Sequence, residues 1–375
     1  MNPISKLRAR LESLASQGLL RHRDRSFASE PAPGGGPSLI DVCSNDYLGY
    51  AGEPVSRETV AAAGSGASRL INGTRPVHRA LERELASWVN AENTLVFSSG
   101  YAANVGLLSA LAGPGDLIVS DELNHASIID GCRLSRARLV VVPHRDPDAV
   151  EHALATAEAQ EAAWVVTESY FSMDGDSPDL ERLRRVCDAH DAALYVDEAH
   201  ALGVFGPGGG GLCRATGVHP DLLVGTLGKA VGVQGAFAAS GSDVLDLVWN
   251  RARSFVFSTA VSPVLAEVAL AHVRRARADD AARARLRALS SKFRELLGSS
   301  LPADCAGPIF PLVLGGPERA LRAVDVLRAS GFSGVAIRPP TVPAGACRLR
   351  ISLNALLTDE DLVRLATAIR QCLAS

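Results

Sequence analysis

From about Asp41 onward, short apolar runs alternate along the chain with segments of helical periodicity. Strands separated by helices in this way form a largely parallel sheet with helices on both faces. The predicted strands of this sheet are Thr94–Phe97, Leu117–Val119, Leu139–Val142, Trp164–Thr167, Ala193–Val196 and Leu222–Gly225. The sequence therefore predicts an α/β fold.

The chain has 375 residues, enough for one large and one small domain. Leucines at helical spacing predict a helix that ends near Gly18, and residues 1–40 are predicted to form an N-terminal arm. Residues 41–275 are predicted to form the large domain and residues 276–375 a small α/β domain, linked by a long helix at Ser262–Leu297. Within the small domain, the predicted elements are Ile309–Leu314, Pro317–Ala329, Val335–Ile337, Arg348–Leu353 and a helix from Thr358.

Charge and composition restrict the class of partner. The net charge is -3, with acidic and basic residues mixed throughout, so nothing favours nucleic acid or an anionic membrane. The absence of a long apolar run and of a secretory signal predicts a cytoplasmic protein, with an arginine-rich transit peptide as the less favoured alternative for the N-terminus. Seven scattered cysteines predict reduced thiols rather than a disulfide framework or a zinc site.

Polar residues follow the predicted strands at their carboxyl ends, where ligands bind in parallel α/β sheets. They are Ser98, Ser99, Gly100, Asp121, His125, Glu168, Asp197, His200, Thr226 and Lys229. We expect them to converge at one edge of the sheet.

Lys229 lies in an apolar, glycine-punctuated stretch of a chain in which lysine is scarce. An amine placed there loses its proton more easily than an exposed one, as imine formation with an aldehyde cofactor requires. Asp197 ends a buried strand and is a candidate partner for a protonated pyridine nitrogen, with His200 in reach of the ring's phenolic oxygen. A helix cap or a metal ligand is the alternative role for this acid.

Two further positions suit the same cofactor. The imidazole of His125 either caps a helix or stacks on a pyridine ring. The Ser98–Tyr101 segment opens a helix after a strand, where backbone N–H groups favour a phosphate. The glycine run Gly208–Gly211 lacks the spacing of a nucleotide-binding loop and is predicted to be a flexible surface loop.

Taken together, these motifs resemble the α-oxoamine synthases, a family of fold-type I pyridoxal-phosphate (PLP) enzymes, over nearly the whole chain. The segments that carry the resemblance are Ser44–Gly49, Gly64–Gly66, Asn72–His78, Ser99–Asn104, Glu168–Asp176, Asp197–His200, Thr226–Lys229 and Ile337–Pro343. The resemblance implies a large domain that binds PLP, and a homodimer with active sites at the subunit interface, to which Phe257–Thr259 would contribute.

The resemblance also implies residue roles. Lys229 would form the Schiff base, His125 would stack on the ring, and Asp197 and His200 would meet its nitrogen and phenolate oxygen. The remaining cofactor contacts would come from Gly100, Tyr101, Ser172 and Thr226. Substrate would be contacted by Arg21, His125 and Thr341, with Arg338 and Arg350 as candidates to hold a carboxylate; which arginine holds which carboxylate stays open.

The implied reaction is decarboxylative condensation of L-alanine with a pimeloyl thioester of coenzyme A or acyl carrier protein, a step of biotin synthesis. The alternatives are another member of the family that uses glycine or serine, a fold-type I aminotransferase or aldolase, and a catalytically inactive partner subunit. Two departures from the family pattern bear on the acyl substrate: the short segment Tyr50–Ala63, and Ala201–Leu202 after the histidine.

Overall fold

The computed structural model describes residues 11–21, 39–54, 62–158 and 162–374. Its strands are β1 (Ile40–Asp41), β2 (Asn93–Phe97), β3 (Leu117–Asp121), β4 (Arg138–Val142), β5 (Ala163–Glu168), β6 (Ala193–Asp197), β7 (Leu222–Thr226), β8 (Ala236–Ser240), β9 (Ile309–Gly315), β10 (Phe332–Ser333), β11 (Ala336–Ile337) and β12 (Cys347–Ser352). The α-helices that lie wholly within these residues are α1 (Pro76–Val89), α2 (Gly100–Leu111), α3 (Ala126–Ser135), α4 (Pro147–Leu154), α5 (Leu180–Ala189), α6 (Leu212–Thr216), α7 (Ser242–Arg251), α8 (Arg253–Val256), α9 (Pro263–Ala278), α10 (Asp280–Leu297), α11 (Pro317–Ala329) and α12 (Asp359–Ala374).

Local sequence explains where several of these helices begin. Proline occupies the first turn of α1, α4, α9 and α11, where its missing N–H would have had no partner within the helix. Asp146 caps α4 by accepting from the Ala149 N–H at 2.9 Å, and Asp179 caps α5 by accepting from the Arg182 N–H at 2.9 Å. These caps separate the helices from the strands that precede them.

The chain divides into two compact units. The larger comprises Asn45–Ser172 and Asp176–Arg285, and it holds a seven-stranded sheet in the order β2-β8-β7-β6-β5-β3-β4. Within the described part of this sheet, β8 runs antiparallel to its neighbours β2 and β7, and the remaining pairs are parallel. The α/β fold with a largely parallel sheet is confirmed, and all six predicted strands are present. Strand β8 was not predicted because its residues, Ala-Phe-Ala-Ala-Ser, are mostly small and follow a glycine-rich turn.

The smaller unit comprises Met1–Ser44, Met173–Gly175 and Leu286–Ser375. Strands β11, β12 and β9 form an antiparallel sheet; α11 packs against this sheet and α12 packs against α11, while β1 pairs with β10 in parallel. Residues 11–16 are helical, and the chain turns at Gly18 with φ +65°, as predicted. The domain boundaries at residues 40 and 275 stay a prediction, and half of the short segment Tyr50–Ala63 lies outside the described residues.

The predicted continuous helix at Ser262–Leu297 is wrong. The chain breaks at Asp279, whose φ and ψ are -87° and 62°, so that α9 and α10 are separate helices. The Asp279 carboxylate accepts from the Tyr50 hydroxyl at 2.7 Å and from the Ala282 N–H at 2.9 Å. Aspartate is unfavourable inside a helix because its side chain bonds to nearby backbone N–H groups, as Asp279 does where it caps the second helix. The tyrosine that also bonds to this carboxylate lies far away in sequence, so the residue pattern did not indicate the break.

The prediction that Gly208–Gly211 is a flexible surface loop is also wrong, because Gly209, Gly210 and Gly211 are buried. Gly211 has φ +95°, and a Cβ built on it would lie 2.5 Å from Oε2 of Glu198. Glu198 is itself fully buried and accepts hydrogen bonds from the Leu212 and Cys213 N–H groups at 3.0 and 2.6 Å. The glycine run therefore wraps a buried carboxyl group, and the absence of side chains permits this approach.

Gly211→Ala is expected to destabilise the protein by about 3 kcal/mol or more, because the new methyl group collides with Glu198 in addition to straining the backbone. Gly217→Ala is the matched control: its φ is +72° but nothing lies within 4 Å of the added Cβ, so only the backbone cost of about 1 kcal/mol applies. Urea denaturation of the two variants measures the difference. Equal midpoints would contradict close packing at Gly211.

Candidate active site

Lys229 lies in the loop that follows β7, and three backbone hydrogen bonds hold that loop. Leu227 N–H donates to the Gly235 carbonyl at 2.9 Å, Gly232 N–H to the Lys229 carbonyl at 2.8 Å, and Val233 N–H to the Leu227 carbonyl at 2.8 Å. Thr226, at the end of β7, is buried. The lysine is half-buried, so a constrained backbone positions a partly desolvated amine at the carboxyl edge of the sheet.

Asp197 ends β6 and is buried, with 5% of its surface exposed. Its Oδ1 accepts from the Ala199 N–H at 2.8 Å, and its Oδ2 accepts from Nδ2 of Asn104 at 2.8 Å. Asn104 in turn accepts from the Tyr195 hydroxyl at 2.5 Å and donates to Ser127 Oγ at 2.9 Å. The carboxyl group is thus fixed by two donors, and Asn104 links α2 to β6 and α3.

His125 is the N-cap of α3 and accepts from the Ser127 N–H at 3.2 Å. Its own backbone N–H donates to Glu168 Oε1 at 2.7 Å. Although His125 is exposed, the protein atoms around its ring lower its pKa by desolvation; the Asp197 charge opposes this effect and the Lys229 charge reinforces it. The capping role considered for His125 is present, and its ring is neutral at neutral pH.

Glu168 lies beside Asp197 in the register of β5 and β6. Burial raises the pKa of Glu168 well above its usual range, and the neighbouring Asp197 charge raises it further. Two adjacent buried carboxyl groups cannot both ionise cheaply. Burial and the neighbouring charge therefore favour the neutral form of Glu168, whose Oε1 accepts from the His125 backbone N–H.

His200 is buried and pairs with a tyrosine. Its Nδ1 lies 2.8 Å from the Tyr47 hydroxyl, and the two rings meet edge to face with centroids 6.3 Å apart. Tyr47 belongs to the Ser44–Gly49 segment. Its contact orients the imidazole of His200 with Nδ1 directed toward the tyrosine hydroxyl. Ser172, another predicted cofactor residue, is also buried.

The start of α2 has the form of an anion site. Ser99 caps the helix by accepting from the Ala102 N–H at 3.1 Å, and the first intrahelical bond runs from Ala103 N–H to the Ser99 carbonyl. The N–H groups of Gly100 and Tyr101 precede that bond. A Cβ added to Gly100 would meet nothing within 4 Å, so open space lies against the helix start, as a phosphate requires.

The smaller unit holds the other predicted residues. Arg21 and Arg338 both line one cavity of about 360 Å³ in that unit. Arg338 is buried and donates to the Gly18 carbonyl oxygen, so it holds the turn three residues before Arg21. Arg350 lies on β12 and donates to the Cys43 carbonyl at 3.2 Å, and neither it nor Thr341 lines this cavity.

Comparisons with known proteins fit this arrangement. Residues 37–369 match the family model described as aminotransferase class I and II. Two curated relatives are 8-amino-7-oxononanoate synthases: one from Anaeromyxobacter dehalogenans (strain 2CP-1) is 47% identical, covering 92% of this chain and 90% of its own, and one from Azoarcus sp. (strain BH72) is 44% identical, covering 98% and 97%.

The chain belongs to the class I and II aminotransferase family, in its 8-amino-7-oxononanoate synthase branch.

Solved structures extend the likeness to the fold of this family. A serine palmitoyltransferase from S. paucimobilis, solved with a bound PLP–myriocin adduct, has a TM-score of 0.90 at 29% identity and covers 100% of both chains. The 8-amino-7-oxononanoate synthase of Francisella tularensis has a TM-score of 0.77 at 26% identity, covering 90% of this chain and 98% of its own. The predicted α-oxoamine synthase resemblance, the fold-type I architecture and the PLP cofactor are confirmed.

The residues present fit PLP. A half-buried lysine, a buried acid with fixed orientation and an open helix start lie at the carboxyl edge of one sheet. The lysine suits the aldehyde of the cofactor, the acid suits its ring nitrogen, and the helix start suits its phosphate.

Sequence reasoning did not assign a role to Asn104, Ser127 or Tyr47, although each contacts a predicted site residue. The signal that could have found Asn104 is its position one helical turn after Gly100, on the same face of α2. No comparable signal marks Tyr47 as the partner of His200, which is 153 residues away.

No helix in the described part of the chain combines the length and apolar character that crossing a bilayer requires.

Proposed function

We propose that this protein condenses L-alanine with a pimeloyl thioester and releases carbon dioxide, the free thiol carrier and 8-amino-7-oxononanoate, a step of biotin synthesis. The observation that carries the proposal is identity of 43% to 47% to relatives named 8-amino-7-oxononanoate synthase, over most of the chain. The carrier is coenzyme A or acyl carrier protein.

When bound, PLP supplies an electron-withdrawing ring that stabilises negative charge at the amino acid's α-carbon. Lys229 would anchor the cofactor, and its free amine would remove the α-proton of the amino acid as a general base. Asp197, whose carboxyl group is held by two donors, would keep a proton on the ring nitrogen, because a carboxylate favours a charged partner. His125 would stack on the cofactor ring, His200 would contact its phenolic oxygen, Gly100 and Tyr101 would hold the phosphate, and Ser172 and Thr226 would supply the remaining cofactor contacts.

The cavity of the smaller unit supports recognition of a pimeloyl group by Arg21. Its walls are mostly apolar, which suits a methylene chain, and its charged lining includes two predicted substrate residues. Guanidinium stays charged and forms paired hydrogen bonds with a carboxylate. We propose that Arg21 binds the distal carboxylate of the acyl donor, and that the amino acid's carboxylate is bound by Arg338 or Arg350 with Thr341 nearby.

Wild-type protein is expected to prefer a pimeloyl over an octanoyl thioester, because only the former carries a terminal carboxylate. Arg21→Ala should lower kcat/KM for the pimeloyl donor roughly 10- to 100-fold and leave the octanoyl donor unchanged, as expected for loss of a charged hydrogen bond. Arg322→Ala, an exposed change on α11, is the control. The measurement is kcat/KM for both donors in the three proteins.

Equal use of the two donors by wild-type protein would contradict the pimeloyl assignment. The same assay with glycine and serine in place of alanine tests the second candidate, another α-oxoamine synthase activity, which the likeness to serine palmitoyltransferase structures favours. An aminotransferase or aldolase would show no dependence on an acyl thioester and would release no thiol.

We also propose a homodimer with Phe257–Thr259 near the partner's cofactor phosphate. Phe257 and Ile71 expose 73% and 81% of their surface, so apolar area is available for a partner to cover. Location in the cytoplasm stays a prediction.

A further inference from the structure

We propose that His144 is a positioning residue that joins two loops of the cofactor site, one carrying His125 and the other carrying Ser172. The inference rests on the cofactor roles proposed for those two residues. His144 acts through two carboxylates, those of Asp121 and Asp176.

His144 follows β4 and lies between these carboxylates. Its Nδ1 is 3.0 and 3.1 Å from the two oxygens of Asp121, and its Nε2 is 3.1 and 3.3 Å from those of Asp176. The ring packs perpendicular to Phe171, with centroids 4.4 Å apart. Both ring nitrogens therefore face acceptors, which only a doubly protonated imidazole can satisfy.

Asp121 anchors the loop that carries His125. It is the last residue of β3, and its Oδ1 accepts from the Leu123 N–H at 2.8 Å. Asn124, next along, donates its Nδ2 to Ser120 Oγ and to the Val166 carbonyl at 2.9 and 2.8 Å. The turn from Asp121 to His125 is thus built on the carboxylate that His144 binds.

Asp176 anchors the other loop. Its carbonyl oxygen accepts from the Phe171 N–H at 2.9 Å, beside Ser172. Arg145 also donates to its carboxylate at 2.9 Å. A change at His144 would therefore reach both sides of the site at once.

The four side chains balance in charge only when His144 is protonated. His144 and Arg145 then offset Asp121 and Asp176, and the nearby Glu122 accepts the His144 backbone N–H at 3.0 Å. Burial lowers the pKa of His144, but hydrogen bonds to Asp121 and Asp176 outweigh it and raise the pKa to about 9. Since the folded pKa is raised, the stabilisation is full below the unfolded value and is lost as pH rises through about 9.

The test is PLP affinity, measured by cofactor absorbance in wild type and His144→Gln, whose uncharged amide cannot donate in both directions. At about pH 7.5 the variant should bind PLP roughly 10-fold more weakly, and at about pH 10 the two dissociation constants should converge, because wild type has then lost the same charge. The ratio of the variant's PLP dissociation constant to that of wild type cancels the titration of groups that both proteins share. His152→Gln, at an exposed position of α4, is the control and should keep a ratio of one.

A ratio of one at the lower pH, or a ratio that stays constant across the range, would overturn the inference. Asp176→Asn is a second test that does not depend on the folding of His144→Gln. It removes one negative charge beside His144, so the pH at which PLP affinity falls should be lower in Asp176→Asn than in wild type. An unchanged pH would also contradict the positioning role of His144. If wild-type protein did not bind PLP through Lys229, the proposed cofactor site would fail; normal binding with a flat ratio would reject only the role of His144.

Discussion

Lys229→Ala is expected to abolish condensation, lowering kcat by at least about 10⁴-fold, because the same amine anchors the cofactor and moves the α-proton. Backbone hydrogen bonds in the loop after β7 hold Lys229 at the carboxyl edge of the sheet. Product formation and exchange of the alanine α-proton with solvent measure the two roles.

The chain offers a sharp control, since Lys6, Lys229 and Lys292 are its three lysines. Lys292 is on α10 and pairs with Asp359 at 2.7 Å, so Lys292→Ala should keep full activity. Borohydride reduction of the yellow holoenzyme followed by peptide mapping should place the adduct on Lys229. An adduct on Lys6 or Lys292 would refute the assignment.

Asp197→Asn should retain PLP but lose turnover by roughly 10²- to 10⁴-fold, because a neutral amide no longer favours a protonated ring nitrogen. The substitution preserves size, and the Ala199 N–H and Asn104 amide that orient the native carboxylate remain in place. The readout is the exchange rate of the alanine α-proton, which isolates the electronic effect from binding of the acyl donor.

Asp188→Asn is the control for this change, since Asp188 is an exposed member of an i,i+4 pair on α5. It should leave exchange unaltered. An Asp197→Asn protein that exchanged the proton at the wild-type rate would exclude the proposed role, whatever its effect on the overall reaction.

The central sheet and the candidate catalytic residues could be predicted from the sequence for one physical reason. Buried parallel strands are continuous apolar runs, and a polar residue directly after such a run must lie at the carboxyl edge of the sheet. That rule places Asp197 after β6 and Lys229 after β7 without knowledge of any distance. It also explains why β8 was missed, since its alanine-rich run carries a weak strand signal.

Two packing details could not be predicted from the local residue pattern. The break at Asp279 and the burial of Gly209–Gly211 depend on side chains from other parts of the fold, Tyr50 for the first and Glu198 for the second. Periodicity describes which face of an element is apolar, and it carries no information about which distant side chain meets a cap or a turn.

The sequence by itself determined the fold class, the cofactor and the positions of Lys229 and Asp197 along the chain. Only the tertiary structure decided that Asn104 orients Asp197 across 93 residues, and that His144 joins Asp121 and Asp176, 23 and 32 residues away. The reason is geometric: a hydrogen bond forms only when two atoms lie within about 3 Å at a suitable angle, and that placement is set by strand register and helix packing rather than by local residue pattern.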